Sequence, residues 1–287
     1  MGRALETVVG YLEGSAVTAG AYQGFTPHSA QSFAIRASDG VPSAKILAPW
    51  GQYGAAGFLQ MKSPRLHDTT IADTMLVKVD TVFNAQAPLF DLDDSEPGYS
   101  TDVLSVSATT LADAADDITY SIGLPIYYPS VSGVDQSMIT NAMLSGYNSP
   151  NTKIGDHYIS WVTPESSATL GDLGVGVAIN SINDQFYADG AYALLGYICN
   201  DELATVAITG TDTGNLWVGG PGSQNTDLTR GWFETISMAQ QLPLIPVIKA
   251  NNRNNTFVAV ATGTDVSTAH TVGLIWCYLG TASGLIG

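Results

Sequence analysis

Four carboxylates crowd into the six residues "DLDDSE": Asp91, Asp93, Asp94 and Glu96, just ahead of a Pro-Gly turn. Calcium takes roughly six to eight hard oxygens of this kind. The stretch lacks the loop glycine of an EF-hand, and its other reading is a solvated acidic turn. Ca2+ at these four residues is the one ion the sequence offers, and no organic cofactor is expected. "DAADD", Asp113 to Asp117, reads as an acidic hairpin tip.

Other chemistry finds little to stand on. His28, His67, His157 and His270 lie far apart, and no zinc or iron ligand spacing surrounds them. A nucleophile elbow, a Walker loop and a dinucleotide fingerprint are all missing; "GDLGVG" at Gly171 has its glycines in the wrong order. Paired acids across a cleft could make a glycosidase, but among 26 Asp and Glu such pairs arise by accident. Trp50, Trp161, Trp217, Trp232 and Trp276 could line a sugar platform, although Trp217 and Trp276 sit inside strand patterns where a core tryptophan is expected. No catalytic residue is assigned, and the chain is not expected to be an enzyme.

Ten Lys and Arg, scattered singly, face those 26 acids for a net charge of −16, so no direct nucleic-acid binding is expected. Only 13% of residues are charged, and small polar residues make up the difference. Cys199 and Cys277 each sit in an apolar run, as small hydrophobes; a bridge between them is left open. The first residues, "MGRALETVVGYLEGS", match neither a secretory signal nor a membrane span, and Glu6 stands where a myristoylation motif wants Ser or Thr. Leu5, Val8, Val9 and Leu12 share a helical face, which suits a short docking arm or a frayed terminal turn.

The elements that must carry these residues are strands. "TMLVKVDTVF", "DVLSVSATT", "ITYSIGLPIYY", "HYISWVTP", "LGVGVAIN", "LATVAITG", "TFVAVATG" and "TVGLIWCYL" are β-branched or aromatic and bounded by Gly, Asn, Asp or Pro. Short helices are expected after Asp135, through "QSMITNAML", and after Asp227, through "LTRGWFETI".

Four matches run collinearly along the chain. "FAIRASDG" from Phe33 answers "YALLGYIC" from Tyr192; "GFLQMKSP" from Gly57 answers "GNLWVGGP" from Gly214; "QAPLFDL" from Gln86 answers "QLPLIPV" from Gln241; and "ITYSIGLPIYY" from Ile118 answers "AHTVGLIWCY" from Ala269. They imply an internal duplication of an all-β unit, with Gly57 on Gly214, Pro88 on Pro243 and Gly123 on Gly273. The organisation read from this is an N-terminal arm at 1–14, a first β-sandwich at 15–130, a linker at 131–154 and a second β-sandwich at 155–287. The uncharged, proline-bearing "QLPLIPV" fits the entry of a strand at a buried place, either packed on its own unit or at an interface formed by Pro243, Leu244 and Ile245.

Two tandem β-sandwiches in a chain of this length resemble the compact double jelly-roll major capsid proteins of tailless, membrane-containing icosahedral viruses. The resemblance covers residues 15 to 287 and lies in the duplication and strand pattern. It implies tandem jelly-roll-like sandwiches with short decorating helices, homotrimers of pseudo-sixfold outline, self-assembly into a shell, and a place in the virion after assembly in the host cytoplasm. It also implies contact with minor capsid proteins or an internal membrane through an inward-facing N-terminal arm. The alternative is a two-domain carbohydrate-binding or adhesive surface protein using exposed aromatics and calcium at Asp91 to Glu96.

Overall fold

The computed structural model describes residues 2–17, 19–38, 42–53, 57–63, 75–79, 95–110, 114–147, 153–179, 186–199, 203–222 and 227–281. Among the described residues the chain is mostly β, arranged in four antiparallel sheets with a few short helices. In chain order the first ten strands are β1 (Gly2–Val17), β2 (Gln23–Gly24), β3 (Thr26–Pro27), β4 (Ala44–Ile46), β5 (Trp50–Tyr53), β6 (Gly57–Lys62), β7 (Met75–Val79), β8 (Glu96–Gly98), β9 (Ser105–Thr110) and β10 (Ala114–Val131). They are followed by β11 (Met138–Ile139), α1 (Asn141–Gly146), β12 (His157–Val162), β13 (Val177–Ala178), β14 (Gly190–Cys199), β15 (Thr205–Gly210) and β16 (Val218–Pro221). The chain ends with α2 (Asp227–Arg230), α3 (Trp232–Gln240), β17 (Ile245–Lys249), β18 (Thr256–Ala261) and β19 (Val272–Thr281).

Among the described residues, strands before residue 132 pair only with each other, and so do strands after residue 137. The first half forms the sheets β3-β1-β10-β4-β8 and β2-β9-β6-β7, with β5 pairing β10 in line with β4. The second forms β11-β17-β14-β19-β12 and β13-β18-β15-β16. Setting aside the two-residue edge pieces β3 and β11, and taking β4 with β5 as one strand, both halves have the same order. One sheet runs first, eighth, third, sixth, and the other runs second, seventh, fourth, fifth.

The agreement extends to register. Gly123 of β10 lies opposite Val9 and Trp50, and Gly273 of β19 lies opposite Trp161 and Ile198. Three residues further on, Ile126 pairs with Ile46, four positions before Trp50, and Trp276 pairs with Leu194, four before Ile198. Each half therefore carries one extra residue at the same point of the third strand, a β-bulge. This slip also accommodates Pro125 within a strand that has neighbours on both sides. The ring has no N–H to donate, and its carbonyl accepts from Leu47 N at 2.9 Å where the ladder is broken.

Side-chain alternation shows how the sheets stack. Val8, Leu12, Ile122, Leu124 and Ile126 face Leu59, Met61, Val106 and Ala108 in the first core. On the opposite face of β1, Val9 meets Leu173, Ala207, Ala259 and Ala261. The intervening Val206, Ile208, Val258 and Val260 turn the other way, into a core with Leu194, Leu274 and Trp276. Four sheets are thus layered face on face, and the β1–β10 sheet is buried on both sides.

That double burial explains why β1 is a strand and not a helical arm. Ala4, Val8 and Leu12 serve one core while Leu5 and Val9 serve the other, so apolar residues at both parities imitate a helical stripe. Residues 2–14 belong to the first sheet, and β11 within 131–154 pairs with β17. The helix expected after Asp135 begins later, at Asn141, because Met138 and Ile139 are drawn into that pairing. Thr140 caps it, its Oγ1 accepting from Met143 N at 3.1 Å. Helix α3 lies where the sequence placed one.

Candidate functional site

The junction between the two halves gathers long-range aromatic and polar contacts. Trp50 lies across Gly123, where any Cβ would collide with the indole ring. The indole projects beyond its sheet, donates from Nε1 to Thr205 Oγ1 at 3.0 Å and meets Trp232 edge-on at 5.2 Å. Beside it Val9, which lies opposite Gly123 on the other side, meets small residues of the partner sheet, Ala207, Ala259 and Ala261.

Many polar groups at the junction are paired, although the buried Trp232 Nε1 meets no acceptor among the described residues. Thr7 N donates to Trp217 O at 2.7 Å, and Thr7 Oγ1 accepts from Gly219 N at 2.9 Å. Gly263 N donates to Gln52 Oε1 at 2.7 Å, and Ser121 Oγ donates to Gly171 O at 2.7 Å. Gln136, expected in a linker, is a clasp: its Oε1 accepts from Leu5 N at 2.7 Å, and its Nε2 donates to Leu5 O at 2.9 Å and to Thr213 O at 2.8 Å. A junction hydrogen-bonded at so many points holds the halves as one body.

At one end of the junction His28 Nδ1 and Asp172 Oδ1 are 2.7 Å apart, with Trp217 edge-on to the imidazole at 6.1 Å. These residues, with Glu165, Ser166, Ser167 and Val175, line a cleft of about 620 Å³. Its polar groups serve the fold. Asp172 Oδ1 also accepts from Leu173 N at 2.8 Å, Ser167 Oγ accepts from Thr169 N at 3.1 Å, and Ser166 Oγ accepts from Thr268 N at 3.1 Å. Within the first half, buried Glu6 accepts from Arg36 at 2.5 and 2.8 Å, and this hydrogen bond raises the guanidinium pKa still further.

The residues singled out in the sequence fall as follows. Asp91, Asp93 and Asp94 lie outside the described residues, as do Pro88 and His67; Glu96 opens β8 opposite Ile46. Among the described residues, no three His, Cys, Asp or Glu gather as a metal site. Leu244 and Ile245 are completely buried in the core of the second half in the single chain, and Pro243 is buried beside them. Their lack of charge is thus accounted for within the fold; these side chains have no exposed surface to offer a partner. "QLPLIPV" does enter a strand, β17, and Pro246 falls beside the two-residue edge piece β11. Cys199 and Cys277 are buried and not bridged to each other, and burial pushes the Cys277 thiol up to about 11.

Of the five tryptophans, Trp50, Trp232 and Trp276 are fully buried, Trp217 is partly buried, and Trp161 is 51% exposed. Trp161 belongs to β12, whose alternate residues His157, Ile159 and Trp161 point out of the stack. The alternation was legible in "HYISWV", but the sequence could not say that the outward side was the apolar one. Beside them Glu234 is half-buried, and burial raises its carboxyl pKa while His157 draws it partly back. A second aromatic group, Tyr158, Phe186, Tyr187, Tyr192 and Tyr278, packs nearby with Lys153 Nζ 5.5 Å from the Tyr187 ring centre.

Among the described residues, no helix is long and apolar enough to cross a membrane. No protein-family model matches the chain, and no curated protein matches it.

Proposed function

We propose that the chain is a self-assembling shell protein, the major capsid protein of a virus, built as two tandem jelly rolls from an internal duplication and forming homotrimers of pseudo-sixfold outline. The observation that carries this reading is the repeated strand order, with the same one-residue slip in the third strand of each half. Eight strands in two sheets ordered in this way make a jelly roll, an architecture used by viral capsid and lectin domains. Two such units locked face to face give a rigid block, which suits tiling better than hinged recognition. Minor capsid proteins or an internal membrane are its further partners, with the virion as its location.

Light scattering across a dilution series, with negative-stain imaging, tests the proposal. The expected result is a mass of three chains or more and a six-lobed outline. A chain that stays monomeric at high concentration, under varied salt and calcium, removes the shell reading. The exposed Trp161 and Tyr187 would then favour a carbohydrate-binding surface protein, for which a glycan array on the monomer is the direct test.

A further inference from the structure

The first and second halves present the same sheet face with opposite fates. In the first half the outward face of the β1–β10 sheet carries Leu5, Thr7, Val9, Gly123 and Trp50, and the second half's β15–β18 sheet seals it. In the second half the corresponding positions, fixed by register, are His157, Ile159, Trp161, Gly273 and Ile198. The likeness reaches the packing. In each half a tryptophan ring lies across this glycine, though from opposite sides: Trp50 reaches Gly123 from the third strand, and Trp161 reaches Gly273 from the first, where a Cβ would be 2.9 Å from Cζ3. Trp50 has no exposed surface, whereas Trp161 is half exposed and Ile159 is 38% exposed. Helices α2 and α3 protect part of this sheet, with Gly196 against the Thr229 and Arg230 carbonyls, and leave the β12 edge bare.

We propose that this bare face, centred on Trp161 with Ile159 and Gly273, is the contact surface for a second copy of this chain. The argument for that occupant is internal. The one place where the chain shows what covers a tryptophan lying on a glycine of its last strand is its own junction, and there the cover is another sheet of the same protein. A face of one half that accepts a different face of the next is a heterologous contact, and repeated between chains it generates a ring or a filament. The patch also suits a chain of net charge −16, because the side chains at its centre, Trp161, Ile159 and Ile198, are uncharged, with the half-buried Glu234 to one side near His157. The inference rests on the self-assembly reading and assigns a surface to it.

Two full-length variants test it. Trp161→Ser removes an exposed ring, so thermal unfolding should stay close to wild type. It should nevertheless raise the concentration at half-dissociation by about tenfold or more, as expected of a tryptophan at the centre of an interface. Ile159→Cys supplies a surface thiol in a chain whose own Cys199 and Cys277 are buried; a small thiol reagent should modify it readily in dilute monomer and slowly in the assembly. Unchanged dissociation of Trp161→Ser, or equal labelling of Ile159→Cys in monomer and assembled trimer, overturns the surface assignment and leaves the shell reading standing. Protection of the introduced thiol of Ile159→Cys by added oligosaccharide in the monomer overturns it in favour of a sugar site. A wild-type chain that never associates removes both.

Discussion

Trp50 and Trp161 occupy similar platforms on glycine but differ in what lies above them, so the same small change should have different costs. In Gly123→Ala the new methyl meets an indole held between two sheets, and overpacking of that kind costs about 1–3 kcal/mol. In Gly273→Ala the ring is half exposed and can swing outward, and alanine regains about 0.5–1 kcal/mol over glycine in a strand. Urea midpoints should therefore fall clearly for the first and change little for the second. Equal losses would show that Trp161 is held as tightly as Trp50. Glu234 gives a second residue-level test. Because burial raises its folded pKa, the folded state binds this proton more tightly than the unfolded one. Its contribution is thus fully present below the ordinary glutamate pKa and is lost as pH rises through the raised value. Glu234→Gln should raise the melting temperature near about pH 7 and leave it nearly unchanged near about pH 4. A gain of equal size at both would mean the carboxylate is not penalised by burial.

At the scale of elements, the strands are legible in the sequence, and single positions are misassigned where two physical causes write the same letter. Gly57 and Gly214 matched as glycines. Gly57 opens β6 because the backbone of Thr109 leaves no room for a Cβ, whereas Gly214 ends a one-turn helix in a left-handed conformation, φ +60°, ahead of β16. Phe33 and Tyr192 likewise fall apart, one before β4 and the other within β14. Among the matches whose residues are described on both sides, the one through Gly123 and Gly273 places both residues at one point of the ladder, and there the spacing is 150 positions. Strand order depends on whole ladders, whereas single letters fail because turns and close contacts both select glycine. Strand β1 imitates a helical stripe for a related reason, since a strand buried on both sides has no polar parity. The apolar "QLPLIPV" enters strand β17, and its burial lies within the unit. Leu244→Ala should cost about 2–5 kcal/mol in folding. It should leave the mass of the assembly unchanged wherever the variant remains folded. A selective loss of association would restore Leu244 to an interface.

For the whole molecule, assembly has to overcome charge. Each copy brings a net −16, and 26 acids against ten bases cannot be neutralised by pairing within the chain. Two copies docking through an apolar face are therefore pulled together by local burial and pushed apart by the summed field, which the solvent's ions control. At an ionic strength of about 0.01 M the screening length is about 30 Å, of the order of the protein's own size; at about 0.15 M it is about 8 Å, and most of the repulsion between chains is removed. Association should accordingly tighten as sodium chloride rises through this range, the reverse of what an interface built on ion pairs would show. Light scattering at fixed protein concentration reads the effect directly. Calcium separates screening from binding. If Asp91, Asp93, Asp94 and Glu96 hold the ion, calcium chloride should promote association beyond sodium chloride of equal ionic strength, and Asp93→Asn with Asp94→Asn should abolish the excess. Coincident curves for the two salts would leave those acids as a solvated turn. Association that weakens with salt would show that the contact between copies is electrostatic, and would argue against the Trp161 face as its centre.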